Sequence, residues 1–238
     1  MLIGPYVNGA AVIVGGLLGA IASKAISERV KSSLPLIFGL CSIGLGINLV
    51  IQVKYMPAVV LAMIIGTAIG EVLYVERGIG KAAGSTRSLI NAVLPPVKGL
   101  SQEQFTEKFV AILVLFCASG TGIFGAMHEG MTGDPSILYI KTVLDFFTAG
   151  IFATMLGFAV MTIGLPLIII QVALAMLASL ILPMISSEMM ADFSCAGGLL
   201  MVATGLRICN IKIFPVANML PALILVMPLS WLWVQLIV

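Results

Sequence analysis

The sequence predicts an all-α membrane protein of about eight transmembrane helices, with inverted three-helix repeats (spans 1–3 and 6–8) around two central helices. Three observations predict it: the composition, a series of apolar stretches, and two matching segments far apart in the chain. Of the 238 residues, 61% are apolar and 9% are charged, and the mean hydropathy is +1.20. A soluble domain carries roughly 25% charged residues to coat its surface. The missing polar surface implies an exterior that faces lipid. A net charge of +2 offers no basic patch, so nucleic acid is excluded as a partner and the lipid bilayer takes its place.

A bilayer core of about 30 Å needs about 20 apolar helical residues to cross it. Eight stretches qualify in turn: 4–23, 34–51, 57–73, 109–127, 137–161, 164–185, 193–208 and 216–238. None shows the apolar–polar alternation of a barrel strand. The last contains Pro221 and Pro228 and is expected to bend or break. The first is not a cleaved signal, because its cations Lys24, Arg29 and Lys31 follow it. The expected domain organisation is one polytopic membrane domain, 1–238.

That order of charges predicts an external amino terminus. With eight crossings, the inner connections hold Lys24, Arg29, Lys31, Arg77, Lys81, Arg87, Lys98, Lys108, Arg207 and Lys212, and the outer ones only Lys54 and Lys141. Ten against two is a strong positive-inside asymmetry, so both termini are expected outside a plasma (inner) membrane. The outer connections are acidic instead, with Glu129, Asp134, Glu188 and Asp192. The one long polar connection, 75–108, contains Pro95-Pro96 and is expected to be a cytoplasmic linker with a short surface helix near 81–93.

The repeat rests on span two, with Phe38-Gly39-Leu40, Gly44-Leu45-Gly46 and Lys54-Tyr55-Met56-Pro57. About 159 residues later stand Gly198-Leu199, Thr204-Gly205-Leu206 and Lys212-Ile213-Phe214-Pro215. Ile3-Gly4-Pro5 likewise matches Ile163-Gly164-Leu165-Pro166, so spans 1–3 match spans 6–8. An odd offset of five spans inserts the halves in opposite directions, the arrangement that secondary transporters use around a midplane site.

Ionisable groups within a bilayer are costly and usually face a cavity or a partner. Asp145 is the clearest, about 12 Å into span five, with Lys141 one turn earlier on the same face. It reads either as a substrate- or ion-binding carboxylate or as half of a packing ion pair. The run Ser119-Gly120-Thr121-Gly122, with Gly125, weakens the helix late in span four and bares backbone polar groups. It suits a polar solute, or close helix packing. Asn8, Asn48, Gln171 and Asn218 are further polar residues inside spans and candidate lining residues.

Glu71, Arg207, His128 and Glu129 are candidate charge partners. Glu71 reads as interior or interfacial, and Arg207 as snorkelling to headgroups or as an anion ligand. The lone His128 rules out a multi-histidine metal site. Cys41, Cys117, Cys195 and Cys209 lie in apolar segments without metal-ligand spacing and are read as unpaired thiols. No nucleotide-binding loop, HExxH or redox CxxC is present, so neither an enzyme nor a cofactor is expected.

Several stretches resemble a known family. They are Gly4-Pro5 to Gly19, Cys117-Ala118-Ser119-Gly120-Thr121-Gly122-Ile123-Phe124-Gly125, Met127-His128-Glu129-Gly130-Met131-Thr132-Gly133-Asp134-Pro135-Ser136, Lys141 to Phe147, and Ala203-Thr204-Gly205-Leu206-Arg207 with Asn218-Met219-Leu220-Pro221-Ala222. Together they resemble the YqgA/YdfK-like family of bacterial inner-membrane proteins of unknown function. The resemblance implies a polytopic bacterial membrane protein, and no substrate or catalytic residue comes with it.

The expected function is a transporter or channel-like protein for a small polar solute or ion, with the site between the repeats. The alternative is a non-transporting scaffold or sensor that acts through the cytoplasmic linker. Glycines in span one (Gly15-xxx-Gly19) are compatible with a homodimer and with a monomer.

Overall fold

The computed structural model describes residues 2–23, 25–85 and 101–237 of the chain. Among these, the helices are α1 (Gly4–Ile21), α2 (Glu28–Val50), α3 (Met56–Val72), α4 (Val75–Ser85), α5 (Gln102–Cys117), α6 (Gly120–Thr132), α7 (Ser136–Leu156), α8 (Gly164–Ile181), α9 (Ser187–Ile208) and α10 (Pro221–Ile237). Short 3₁₀ stretches, Gly157–Ile163 and Val216–Met219, precede α8 and α10. Pro5 and Pro57 stand at the first turns of α1 and α3, where a missing N–H costs no bond.

Among the described residues, six helical runs can cross a membrane by length and composition, or up to seven if Met56–Val72 and Val75–Ala82, bent by 51°, form one span. The expected span 137–161 and most of 164–185 fall within a single run, Ser136–Ile181. The exterior is apolar, with residues such as Ile64, Leu177 and Ile224 exposed, whereas Asn8, Gln171, Asp192 and Ser230 are buried. Such an inverted distribution suits lipid and not water.

The chain divides into two compact units. The first comprises Met1–Leu34 and Gly78–Ala178. Here α1 lies against α7, with Gly15 on the Phe146 backbone and Gly19 on the Gly150 backbone, so the two run in the same sense. Against α8 and the 3₁₀ stretch before it, α1 runs in the opposite sense, with Gly9 on Ile168 and Gly16 on Met161. The chain must therefore reverse between α7 and α8. It does so at Gly157, whose φ of 62° is open to glycine but strained for other residues. Phe105, Phe109 and Phe116 of α5 pack with Val12, Ala149, Ala153, Val160 and Leu167 into the apolar core of this unit.

The second unit comprises Pro35–Arg77 and Ser179–Val238. Two antiparallel crossings of small residues build it. Gly39 of α2 meets Gly205 of α9, Gly46 meets Gly198, and between them the Ser42 hydroxyl donates to the Met201 carbonyl at 2.9 Å. Gly66 and Gly70 of α3 meet the backbones of Ala222 and Asn218 in the same manner. Without Cβ atoms the backbones approach closely, the usual source of helix association in lipid.

The helix that carries span four starts at Gln102, inside the stretch 75–108 expected as a linker. Ser101 and Gln104 form a reciprocal capping box there, and Phe105 is already buried. The surface helix expected near 81–93 is described only as far as Ser85; the rest of it, with Pro95-Pro96, lies outside the described residues. Glu129, Asp192 and Lys141, counted among charges of outer connections, are all buried inside their units.

Candidate functional site

In the first unit the helical run Gln102–Thr132 is interrupted. Ala118 and Ser119 leave the helix, and Ser119 takes an extended conformation (φ −71°, ψ 136°) from which its hydroxyl accepts the Gly122 N–H at 3.1 Å. Serine caps well and glycine propagates poorly, so the break falls where the residue types favour it. The start of α6, namely Gly120, Thr121 and Gly122, is therefore buried inside the unit.

Facing it from α7 are Lys141 and Asp145, buried and hydrogen-bonded to each other one turn apart. The Lys141 ammonium also sits 5.8 Å from the Phe116 ring centroid, close enough for a cation–π contact. From α8 comes Gln171, 1% exposed, and from α1 comes Asn8, 0% exposed, beside the Asp145 carboxylate. The Gln171 amide finds no hydrogen-bond partner for its nitrogen or its oxygen among the described residues, whereas Asn8 lies within hydrogen-bonding reach of the Asp145 carboxylate. A buried polar group without a partner costs on the order of 1–3 kcal/mol. The two unpartnered atoms of Gln171 therefore call for a ligand, water or ion to meet them.

Glu129, on α6, has a different role. Its Oε1 accepts the Ile3 N–H at 2.8 Å and the Gly4 N–H at 3.0 Å, capping α1 from 125 residues away along the chain, while Oε2 is left without a partner. A carboxylate suits a helix amino terminus both as acceptor and as counter-charge. We expect Glu129→Ala to lower stability by about 2 kcal/mol and Glu129→Gln, which keeps an acceptor, by about half of that. Chemical unfolding in detergent reads both, and equal losses would refute the assignment.

His128 is half-buried, its Nδ1 3.3 Å from the Thr132 hydroxyl and its ring 5.6 Å from that of Phe124. In the turn that follows, the Ser136 hydroxyl and amide hold the Asp134 carboxyl below the usual carboxylate range.

The remaining candidates lie in the second unit. Arg207 pairs with Glu76 at 2.7 Å and donates to the Phe214 carbonyl at 3.0 Å, so it is half of a local ion pair. Asn218 accepts the Glu76 N–H at 2.6 Å and thereby joins that cluster. Asn48 and Glu71 are exposed on their helices. Asp192 was not among the sequence candidates. It is fully buried, accepting the Lys54 and Tyr55 N–H groups at 2.9 and 2.8 Å and the Ser230 hydroxyl at 2.7 Å. It caps α3 as Glu129 caps α1, and all its contacts are structural. Among the described residues no group of three or more His, Cys, Asp or Glu is placed to hold a metal.

Of the fourteen candidates, the first unit thus collects Asn8, Ser119, Gly120, Thr121, Gly122, Lys141, Asp145 and Gln171 around one buried polar cluster, with Glu129 and His128 further along α6. The family model described as "Protein of unknown function (DUF554)" matches residues 3–231, a range that takes in every one of them. The chain belongs to the DUF554 family. A DUF554 relative from Escherichia coli (strain K12), "Uncharacterized protein YqgA", is 56% identical over 233 residues, 98% of each chain. A more distant one, "Uncharacterized membrane protein YdfK" of Bacillus subtilis (strain 168), is 25% identical over 228 residues, 94% of this chain and 93% of that one. No solved structure matches the chain. With its apolar helices and a membrane-protein relative, this DUF554 member is a membrane protein.

Proposed function

We propose that the chain is a transporter or channel-like protein of the bacterial inner membrane that moves a small polar or charged solute. The carrying observation is the unpartnered amide of Gln171, buried with Asn8 and the Lys141–Asp145 pair at an interrupted helix. Folding against lipid leaves such groups unmet only at a cost of several kcal/mol. A solute or its water would repay that cost in use. The active residues belong to binding and not to catalysis.

An eight-span, inverted-repeat topology supports the reading. Reversal between α7 and α8 makes two crossings of the run Ser136–Ile181, which raises seven spans to eight. In the proposed alignment Gly39 corresponds to Gly198 and Gly46 to Gly205, and the observed contacts pair Gly39 with Gly205 and Gly46 with Gly198. Ser42 and Met201, 159 residues apart and so equivalent to each other, meet between them. This is the pattern of a local two-fold axis. The other matched pairs, α1 with α8 and α3 with α10, also pack antiparallel. With eight crossings the positive-inside rule puts both termini outside.

Uptake into proteoliposomes of radiolabelled acetate, methylammonium, glycerol and urea tests the function. At least one solute should enter faster than into protein-free vesicles, and Asp145→Asn should slow it by about tenfold and remove its pH dependence. Deleting 82–97 should leave uptake intact, since the scaffold reading alone needs the linker. Unchanged flux in Asp145→Asn would remove Asp145 from the pathway, and a panel with no uptake at all would sink the transporter reading.

A further inference from the structure

We propose that the first unit binds the carboxylate group of a small anionic solute at the amino terminus of α6, between Lys141 and Gln171. This gives the solute class for the transporter reading and rests on that reading for its purpose.

The first four N–H groups of a helix have no acceptor within it. In α6 the Ser119 hydroxyl takes one of them, the Gly122 N–H, and the Ser119 carbonyl accepts the first intrahelical bond, from the Ile123 N–H at 3.0 Å. The amides of Gly120 and Thr121 have no acceptor within the helix, and both residues are buried. Most helices place this positive end in water; α6 places it inside the unit, where its partial charge is poorly screened.

The second observation is independent of the helix end. The Gln171 side chain, 1% exposed and unpartnered at both atoms, brings its Nε2 to 3.4 Å from where a Cβ on Gly122 would lie. The Lys141 Cε and Ser119 Oγ approach the same point, at 2.7 and 2.9 Å. Polar side chains from α7 and α8 therefore pack directly against the start of α6, an approach that is possible because residue 122 has no side chain. Lys141 gives one of its three N–H bonds to Asp145 and keeps two for a second acceptor.

The charges at this spot favour an anion. Asp145 and Lys141 offset each other, Glu129 on the same helix is turned to the Ile3 and Gly4 amides, and the helix end remains as uncompensated positive potential. A carboxylate matches the donor set, with one oxygen for the backbone amides and the other for Lys141 and Gln171. Lys141 then exchanges part of its bond to Asp145 for the solute.

Equilibrium dialysis of the full chain in lipid nanodiscs, with radiolabelled acetate and, separately, radiolabelled methylammonium, tests this. Acetate should bind saturably and methylammonium should not. Asp145→Asn, which frees Lys141, should tighten acetate severalfold even as turnover falls. Lys141→Gln alone strands a buried carboxylate and can unfold the chain, so Lys141→Gln/Asp145→Asn supplies the decisive variant. It keeps both shapes without charge and should weaken acetate by about tenfold. Equal acetate affinity in that double variant, or displacement of acetate by chloride at matched concentration, overturns the assignment. Methylammonium binding in place of acetate also overturns it while leaving the solute pathway standing. Binding of neither probe overturns it as well, and the uptake panel then judges transport separately.

Discussion

Lys141→Met, made alone, should destabilise the chain by about 3–5 kcal/mol, whereas Lys141→Met/Asp145→Leu should cost little or even stabilise. Both partners are buried, at 3% and 8% exposure, so removing the ammonium strands a carboxylate in a medium that solvates it poorly. Replacing both by apolar side chains of similar volume removes the desolvation penalty along with the attraction. The order of the pair supports this. Lysine four residues before an acid is the weaker arrangement on a helix surface, so local helix energetics do not account for it. Unfolding in detergent of the two single variants and the double gives the coupling energy directly. Single-variant losses below about 1 kcal/mol, simply summing in the double, would show that the pair is not desolvated.

The second large effect is expected where α2 crosses α9. Gly46→Val should cost about 2–3 kcal/mol, because its Cβ would meet the Gly198 carbonyl at 2.5 Å and the Val202 side chain and backbone at 2.9 Å. Gly44→Val, two residues away on the same helix, should change stability by less than about 0.5 kcal/mol, because nothing lies within 4 Å of its Cβ position. Thermal melts of the purified variants in one detergent separate them. Equal destabilisation would mean that loss of glycine, and not the crossing, sets the cost.

Much of this architecture could be read from residue types, and the limits follow from physics. Apolar runs mark spans because lipid admits few polar groups, and the Ser119–Gly122 break shows in sequence because capping and weak propensity are local properties. Lys141 and Asp145, one turn apart on one helix, were likewise legible as a pair. The capping box of Ser101 and Gln104 offered a local signal for the start of α5 that the linker reading passed over. Asn8 and Asn48 look alike in sequence, yet one is buried and the other exposed. Spans that are apolar all round carry no amphipathic stripe to tell inner from outer faces. Glu129 and Asp192 look like loop acids because each stands near a helix end; their partners lie 125 and 138 residues away, and no short-range pattern encodes such a bond.

Those two carboxylates have a consequence for biosynthesis. At roughly 5–20 residues per second, the ribosome needs about 6–25 s after making Gly4 to produce the glutamate that secures it. The aspartate that secures Lys54 arrives after a similar delay. During that interval the leading ends of α1 and α3 have no protein acceptor for their amides and must stay at the hydrated headgroups or within the insertion machinery. The two helices can cross early, but they reach their final depth only after Glu129 has been made for the one and Asp192 for the other.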